Sequence, residues 1–355
     1  SFDYLANDGF DNSNIAKVRI SVTPVNDLNP WTFMIYMAGD NNLEYYLNRA
    51  ITNLESQATN PNVNIVVFFD GKERQDTVKF LVQPGGIYTE GENSWHLGEM
   101  NTGEINTLVD FVVWARVKYP AEHYYLSIAN HGKGTDGIAW DESSREDHLT
   151  PKELASAMDI ISQLGKIDVL HFDACLMALF ENFFEFKDNA DYIVASQNLG
   201  WSVFAYNYYQ SIGINSVQAE PYEYSSIVAS VNATTEPMQL ATGIADTYYN
   251  HPALLDYPRT VSVIDSSEAN YLNVALNNFS TALINGLSQP GNKEMISSIR
   301  FIVQKFDSRD YYRITPDDEY IDLYHFVSLV NQYVPDETIG NAAQALLSSI
   351  DKMVI

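Results

Sequence analysis

The amino-acid sequence predicts an α/β fold in which a mostly parallel sheet is flanked by helices. From residue 31 onward, short apolar runs alternate with amphipathic stretches, which is typical of buried parallel strands joined by helical crossovers. The chain has 355 residues, of which 46% are hydrophobic, so it can bury one large core or two modest ones. We therefore expect one main domain, at residues 30–355, with at least one smaller segment attached to it.

The apolar runs predict the strands of this sheet, at residues 31–38, 63–69, 124–129, 167–172 and 192–196. The stretches between them predict helices at residues 43–56, 104–118, 151–164 and 176–186. Thr150 and Glu153 form a capping-box pattern around Pro151, which marks the start of the third helix. After the core at residues 31–200, the chain becomes mainly helical, with helices near residues 222–233, 267–286, 293–306, 321–333 and 339–353 and a strand near 260–264.

Residues 1–29 differ from the rest because they alternate in polarity like two short strands, at residues 1–9 and 16–24. Two strands do not form a stable unit alone. This stretch resembles the last strands of a bacterial cadherin-like repeat in Phe2-Asp3-Tyr4, Asn7-Asp8-Gly9, Val18-Arg19-Ile20-Ser21-Val22 and Pro24-Val25-Asn26-Asp27. The resemblance implies a remnant of a β domain from a larger multidomain protein, secreted or on the cell surface. The alternative is an extra hairpin on the main domain.

Charge and cysteine content narrow the function classes. Lys and Arg total 20 against 46 Asp and Glu, and the net charge of −26 repels nucleic-acid backbones and anionic membranes. No apolar run approaches the roughly 20 residues that span a bilayer, so we expect neither a nucleic-acid partner nor membrane insertion. The single cysteine, Cys175, excludes an intrachain disulfide and a multi-thiolate metal site. It is either an inert buried residue or a reactive thiol.

Two predicted strands end in residues that can perform chemistry. The strand at 124–129 is followed by Asn130-His131-Gly132, and the strand at 167–172 is followed by Asp173-Ala174-Cys175. In open parallel sheets, active sites form beyond the carboxyl ends of the strands. Each residue alone has a simpler explanation, because cysteines are often small buried hydrophobes and histidines are often surface or core residues. Together they predict a catalytic pair.

The predicted helix at 176–186 gives Cys175 a chemical role. A helix N-terminus and a nearby imidazolium both lower the pKa of a thiol, and the thiolate is the attacking species. His131 would then donate a proton to the departing amine. The N–H groups of Gly132 and Cys175 would form an oxyanion hole for the tetrahedral intermediate.

The chain from about residue 31 to 333 resembles the clostripain family of the caspase-like cysteine peptidases. The matching motifs are His131-Gly132 and Asp173-Ala174-Cys175, together with Trp31-Thr32-Phe33-Met34-Ile35-Tyr36-Met37-Ala38-Gly39-Asp40-Asn41-Asn42-Leu43, Leu149-Thr150-Pro151-Lys152-Glu153-Leu154 and Tyr320-Ile321-Asp322-Leu323. The resemblance implies a caspase-like fold, a His131–Cys175 dyad and cleavage of polypeptide substrates through an acyl-enzyme. No cofactor is then required for the chemistry.

The resemblance also implies cleavage after Arg or Lys, with Asp173 among the residues that line the specificity pocket. Ser196, Gln197 and Trp201 are expected to complete that pocket. The family's second pocket acid is missing here, because the stretch 195–201 contains no carboxylate. Asp136 and Asp141 are candidates for the missing charge. The alternative role of Asp173 is to cap the helix after Cys175.

Calcium activation and self-cleavage occur in relatives. The loop at 133–148 contains acids that are either hard-cation ligands or a solvated surface. Cleavage after Lys133 or Arg145 would indicate self-processing by a basic pocket. The segment Asp317-Asp318-Glu319 is a second possible cation site, but no recognisable ligand spacing surrounds it.

Three rival functions remain at this point. In the first, the chain is an adhesive surface protein with an inactive peptidase-like domain. In the second, the same dyad passes the acyl group to an amine, as in a transpeptidase. In the third, His131, His148 and His171 bind zinc, but the sequence contains no His-Glu-x-x-His spacing to support this.

Overall fold

The computed structural model describes residues 28–84, 94–200, 224–251, 259–309 and 314–355, and the backbone of two short strands near the N-terminus. The strands are β1 Phe2–Tyr4, β2 Ala16–Val18, β3 Asn29–Ala38, β4 Val63–Asp70, β5 Thr77–Leu81, β6 Ser94–Gly98, β7 Ala121–Ala129, β8 Ile138–Asp141, β9 Asp147–Leu149, β10 Ile167–Asp173, β11 Ala190–Ala195 and β12 Ser262–Asp265. The helices are α1 Glu44–Glu55, α2 Ile105–Lys118, α3 Pro151–Ile161, α4 Phe180–Phe186, α5 Tyr224–Ser230, α6 Pro237–Tyr249, α7 Ala269–Gly286, α8 Asn292–Ile302, α9 Leu323–Tyr333 and α10 Glu337–Met353.

The centre of the fold is an eight-stranded sheet with the order β12-β11-β10-β7-β3-β4-β5-β6. Its five central strands, from β11 to β4, run parallel, and β12, β5 and β6 are antiparallel at the two edges. Parallel strands are covered by helices on both faces, which explains their unbroken apolar sequences. In β3, for example, every residue from Trp31 to Ala38 is buried.

Side chains along each strand alternate between two helical layers. Phe33 and Ile35 in β3 pack into a core with α1, α5 and α6, whereas Met34 and Tyr36 pack into a second core with α2, α3, α7 and α10. The C-terminal helices therefore cover the same sheet as the N-terminal ones. The last residue, Ile355, also donates its N–H to the carbonyl of Val263 in β12 at 3.0 Å.

The five central strands and the strand at β12 lie where the sequence predicts them, and the capping box at Thr150 is present. The sequence prediction missed β5, β6, the β8–β9 hairpin and α6. The strands among these are short, antiparallel elements that lack the continuous apolar run of a buried parallel strand. Helix α6 does carry a start signal, because Pro237 is its first residue and Glu236 and Gln239 form a capping box.

Near the N-terminus, β1 and β2 pair antiparallel, with Phe2 opposite Val18, as two strands in residues 1–29 predict. Their origin in a cadherin-like repeat, and a domain boundary at residues 29 and 30, stay predictions. No described helix combines the length and the apolar character that a membrane-spanning segment requires.

Candidate active site

His131 and Cys175 leave the sheet at the carboxyl ends of β7 and β10, which are adjacent parallel strands. In the register of these strands Ala129 lies opposite Asp173. His131 lies two residues after Ala129, and Cys175 lies two residues after Asp173. The Asn130 N–H donates to the Asp173 carbonyl at 3.3 Å, so the strands remain paired just beyond their ends. The two side chains predicted to act together therefore begin from neighbouring backbone positions.

Gly132 lies where the two strand ends are in close contact. A Cβ atom at this position would lie 2.3 Å from the carbonyl oxygen of Cys175 and 2.9 Å from the Cβ of Ala174. Only glycine fits this approach without a shift of the backbone. Among the described residues, the N–H groups of Gly132 and Cys175 donate no hydrogen bond, so both are available to an oxyanion.

The His131 ring is half-buried, and its Nε2 lies 2.6 Å from the side-chain oxygen of Asn42. An amide oxygen only accepts hydrogen bonds, so in the neutral ring Nε2 carries the proton and Nδ1 is the basic nitrogen. Burial lowers the pKa of His131 to about 4, despite the opposing effect of the Glu142 carboxylate. His131 is therefore neutral at pH 7 and suited to accept a proton.

Cys175 is only 7% exposed, and its sulfur accepts a hydrogen bond from the Gly200 N–H at 3.3 Å. Burial raises the pKa of the Cys175 thiol to about 11. The hydrogen bond from Gly200 lowers it, while the carboxylates of Asp173 and Asp307 raise it further. The thiol is therefore protonated at pH 7.

The predicted activation of Cys175 by a helix N-terminus is wrong. Helix α4 begins at Phe180, and the residues after Cys175 form a turn in which Leu176 has a left-handed backbone with φ of 62°. The N–H groups that a helix would have turned toward the thiol are used elsewhere, because Leu176 donates to the Asn198 carbonyl and Ala178 donates to the Ser196 carbonyl. A left-handed conformation is costly for a leucine, so these contacts must hold it.

Asp173 is a buried carboxylate at the end of β10, with 4% of its surface exposed. The Tyr224 hydroxyl donates to Asp173 Oδ2 at 3.0 Å and also lies 2.7 Å from the Ser127 hydroxyl. Asp173 does not cap the helix that follows Cys175, because α4 has Leu179 at its N-cap and no side-chain cap. The carboxylate is instead held next to Cys175 by a residue from α5.

The loop after β11 is tied to the rest of the protein by its own side chains. Ser196 donates its hydroxyl to the Asn198 carbonyl at 3.0 Å and lies 2.9 Å from the Thr260 hydroxyl. Gln197 donates to the Ser262 hydroxyl at 2.7 Å. Ser196 and Gln197 thus lie at the predicted edge of the sheet, but both bind neighbouring chain segments. Trp201 lies outside the described residues.

Four residues of the site were missed by sequence reasoning: Asn42, Asn198, Tyr224 and Asp307. Asn42 lies in the motif at residues 31–43, which covers most of β3 and the turn after it, so this motif was the available signal. Asn198 accepts the Asp307 N–H at 2.9 Å and thereby fixes the chain around residue 307 to the loop beside Cys175. Asp307 itself is 2% exposed. No local pattern in the sequence marks Tyr224 or Asp307.

Neither Asp136 nor Asp141 is among the carboxylates that shift the pKa of Cys175. Asp136 is exposed and pairs with Lys133 at 2.8 Å. Asp141 is buried, and its oxygens accept the Thr102 N–H at 3.0 Å and the Ser144 N–H at 2.8 Å. Both carboxylates therefore bind groups other than Cys175, and a pocket role for either stays a prediction.

His148 and His171, the other histidines of the suggested zinc site, each contact a different aromatic residue. His171 is buried, with Nδ1 2.7 Å from the Tyr125 hydroxyl, and burial lowers its pKa to about 3. His148 stacks on Trp140, with ring centroids 3.7 Å apart. The only group of ligating side chains that lies close enough to hold a metal, within the described part of the chain, contains no histidine. These contacts give no support to a zinc site.

In the segment at 317–319, Asp318 is used as a hydrogen-bond acceptor. One of its oxygens accepts the N–H groups of Ser308 and Arg309 at 2.8 and 3.1 Å, and the other accepts the Thr315 N–H at 2.5 Å. Burial raises the pKa of Asp318, but these hydrogen bonds outweigh it and leave the pKa below its usual value. Asp318 therefore fixes a loop, and nothing in its contacts requires a cation.

The profile of the clostripain family, a family of C11 peptidases, matches residues 35–355. The chain belongs to the clostripain family. Clostripain of Hathewaya histolytica is 27% identical over 209 residues, which cover 48% of this chain and 39% of that protein. The chain thus aligns with less than half of that relative.

Two solved structures share the fold. A secreted C11 cysteine protease from Bacteroides thetaiotaomicron, in complex with an irreversible peptide inhibitor, has a TM-score of 0.63 at 19% identity, over 92% of this chain and 84% of that one. An inactive zymogen C11 protease from Parabacteroides distasonis has a TM-score of 0.61 at 22% identity, over 93% of this chain and 84% of that one. These matches confirm the predicted caspase-like α/β fold of a cysteine peptidase family.

The contact at Gly132 predicts a steric effect. We expect Gly132→Ala to lower the free energy of unfolding by about 1–3 kcal/mol, because the strand ends must separate to admit a methyl group. Gly243→Ala is the matched control, since a Cβ there meets nothing within 4 Å and α6 gains up to about 1 kcal/mol from alanine. Urea unfolding of both variants measures this. Equal effects of the two substitutions would contradict the close approach.

The raised pKa of Cys175 predicts how its reactivity depends on pH. Because Cys175 is the only cysteine, iodoacetamide labelling reports on this thiol alone. We expect the labelling rate of the free protein to rise about tenfold per pH unit from pH 7 to 10, as the thiolate fraction grows toward a pKa of about 11. His131→Ala should show the same slope. A rate independent of pH between 6 and 9 would instead indicate a thiolate–imidazolium pair.

Proposed function

We propose that this chain is a cysteine endopeptidase in which Cys175 attacks the peptide carbonyl and His131 transfers the proton. The proposal rests on one observation. Ala129 and Asp173 lie opposite each other in the sheet, and His131 and Cys175 follow these two residues by the same distance along the chain. Adjacent strands lie about 4.8 Å apart, so both side chains start from one edge of the sheet at neighbouring positions. A carbonyl carbon above that edge is within reach of both groups.

The charge states favour a neutral dyad. At pH 7 the Cys175 thiol is protonated and the His131 ring is neutral, because burial raises the first pKa and lowers the second. Nδ1 of His131 accepts the thiol proton as the sulfur attacks the substrate carbonyl. The resulting oxyanion accepts hydrogen bonds from the N–H groups of Gly132 and Cys175.

The tetrahedral intermediate then collapses to an acyl-enzyme. The carbon–nitrogen bond breaks, and His131 gives its proton to the departing amine. A water molecule attacks the thioester carbonyl, gives a proton to His131 and releases the carboxylic acid. The proton returns to the sulfur of Cys175, which completes the cycle. The thiol and the imidazole supply all of this chemistry, so no cofactor takes part in it.

We further propose that the enzyme cleaves polypeptides after Arg or Lys. Asp173 is a buried carboxylate beside Cys175, and a guanidinium or ammonium group there would gain charge-assisted hydrogen bonds. Tyr224 holds Asp173 Oδ2 and thereby fixes the direction of the carboxylate. Ser196 and Gln197 shape the loop that borders the pocket, and Trp201 remains a predicted pocket residue.

Asp307 supplies the second acid in this proposal. It is buried, its N–H is bound by the Asn198 side chain, and its charge acts on Cys175 in the same direction as that of Asp173. The carboxylate that is missing from the stretch 195–201 is thereby replaced from a distant part of the sequence. Two buried acids near one thiol favour a cationic substrate side chain, because it offsets their repulsion.

The cellular setting is also proposed. We infer a secreted or surface-displayed protein that is part of a longer multidomain chain, in keeping with the cadherin-like pattern of residues 1–29. The protease of Bacteroides thetaiotaomicron that shares the fold is described as secreted. Calcium enters the proposal as a structural ligand with no part in the chemical step.

The specificity prediction is tested with peptides that differ only at the residue before the scissile bond. We expect cleavage after Arg and Lys, and no cleavage by Cys175→Ala. Asp173→Asn and Asp307→Asn should each lower kcat/KM for the Arg peptide by about 10- to 100-fold, because each removes a charged hydrogen-bond acceptor. A fall in the ratio of kcat/KM for the Arg peptide to that for a norleucine peptide indicates lost specificity. An equal fall for both peptides indicates general damage to the enzyme.

Asp191→Asn is the matched control, because Asp191 is exposed at the opposite end of β11 and pairs with Lys166. It should leave the Arg-to-norleucine ratio unchanged. Cleavage after uncharged residues, with the ratio unaffected in Asp173→Asn and Asp307→Asn, would refute the basic pocket. Turnover that survives in Cys175→Ala would refute the dyad.

A further inference from the structure

The His131 ring is held by a side chain from a distant part of the sequence. Its Nε2 lies 2.6 Å from the amide oxygen of Asn42, a residue 89 positions earlier, in the turn between β3 and α1. An amide oxygen only accepts hydrogen bonds, so in the neutral ring this contact requires the proton to be on Nε2. The orientation and the tautomer of His131 therefore depend on where this turn lies.

The side chain of Asn41 fixes the turn. Asn41 is buried, with only 2% of its surface exposed, and its Oδ1 accepts the Leu43 N–H at 3.0 Å. Its Nδ2 donates to the carbonyls of Ala38 and Trp140, both at 3.0 Å. Ala38 and Leu43 lie before and after Asn42 in the chain. The backbone of Asn42 is therefore held from both sides.

Asn130, the residue before His131, binds the same two carbonyls. Its Nδ2 donates to the carbonyl of Ala38 and, at 3.4 Å, to that of Trp140. Its Oδ1 accepts the Trp140 N–H at 2.9 Å. The segments that carry Asn42 and His131 are thus bound to one pair of carbonyls. Their side-chain contact is set by the fold, because both backbones are fixed to the same place.

The Asn42 side chain is exposed, so it does not fill the core. We propose that Asn42 is a positioning residue, which orients the His131 ring and keeps its proton on Nε2, so that Nδ1 is left to accept the thiol proton of Cys175. This role rests on the proposed function, because it requires His131 to transfer the proton. The hydrogen bond between Asn42 and His131 does not rest on it.

An uncharged partner suits this role. A carboxylate hydrogen-bonded to the ring would stabilise the imidazolium form and so raise the pKa of His131. Glu142, a carboxylate that does act on the ring, is exposed and pairs with Lys72 at 3.1 Å, and burial of the ring outweighs its effect on the pKa. Asn42 therefore orients His131 while the ring stays neutral and able to accept a proton at pH 7.

The first test is the NMR spectrum of Cys175→Ala, which keeps this contact and performs no peptidase chemistry. The chain has seven histidines, so ¹⁵N-labelled histidine, with His131→Ala as the reference, assigns the ring signals of His131. We expect a protected Nε2–H signal, which the further substitution Asn42→Ala should remove because the proton then exchanges with water. Asn42→Asp should keep the signal and raise the pKa of His131 from about 4 by about 1–3.

Peptide cleavage gives the second readout. Asn42→Ala should lower kcat by about 10- to 100-fold and leave KM unchanged, because the ring is misplaced while substrate binding is not altered. Asn42→Asp accepts the Nε2–H again, so it should recover most of the lost kcat at a pH above the raised pKa of His131. The Tm of Asn42→Ala should equal that of the unaltered chain, since the side chain is exposed.

Asn48→Ala is the matched control, because Asn48 is an exposed asparagine on α1. It should change neither the ring signals nor kcat. An Nε2–H signal that persists in Asn42→Ala would overturn the proposal, and so would a kcat of Asn42→Ala equal to that of Asn48→Ala. Failure of the proposed function has a different signature. The unaltered chain would then cleave no peptide, whereas the Nε2–H signal and its loss in Asn42→Ala would be unaffected.

Discussion

The close approach of Gly132 to the carbonyl of Cys175 is the constraint on which the rest of the site depends. It requires β7 and β10 to stay paired past their last strand residues, so His131 and Cys175 begin from neighbouring backbone positions. Among the described residues, the N–H groups of Gly132 and Cys175 donate no hydrogen bond. A fold that kept the same sheet but separated these ends by one side chain would lose the geometry that the proposed dyad and oxyanion hole require.

Burial then sets the chemistry of the two reacting groups. A thiol with a pKa of about 11 does not transfer its proton spontaneously to an imidazole with a pKa of about 4 at pH 7. In the proposed mechanism, nucleophilic attack is therefore coupled to proton transfer within the substrate complex, where the proposed oxyanion hole and the new carbon–sulfur bond stabilise the products. The carboxylates of Asp173 and Asp307 reinforce this, because both raise the pKa of the Cys175 thiol.

The sequence predicts the parallel strands and the residues at their ends because buried strands are long apolar runs and their ends are abrupt. It fails where distant segments decide local structure. The stretch after Cys175 has the composition of a helix, yet the carbonyls of Asn198 and Ser196 bind its N–H groups and delay α4 to Phe180. Likewise, Tyr224 and Asp307 reach the site only through the fold, so no spacing in the chain identifies them. Asn42 could have been identified from the sequence, because it lies in the motif at residues 31–43, to which no chemical role was assigned.

The most direct test of the account is the detection of its covalent intermediate. An arginine ester substrate mixed with the enzyme and quenched in acid should give intact protein heavier by one acyl group, with the thioester on Cys175 and none on Cys175→Ala. His131→Ala should accumulate little or none of it, because the thiol then lacks its proton acceptor. Ester turnover by Cys175→Ala, or an acyl group on any other residue, would contradict the assignment of Cys175 as the nucleophile.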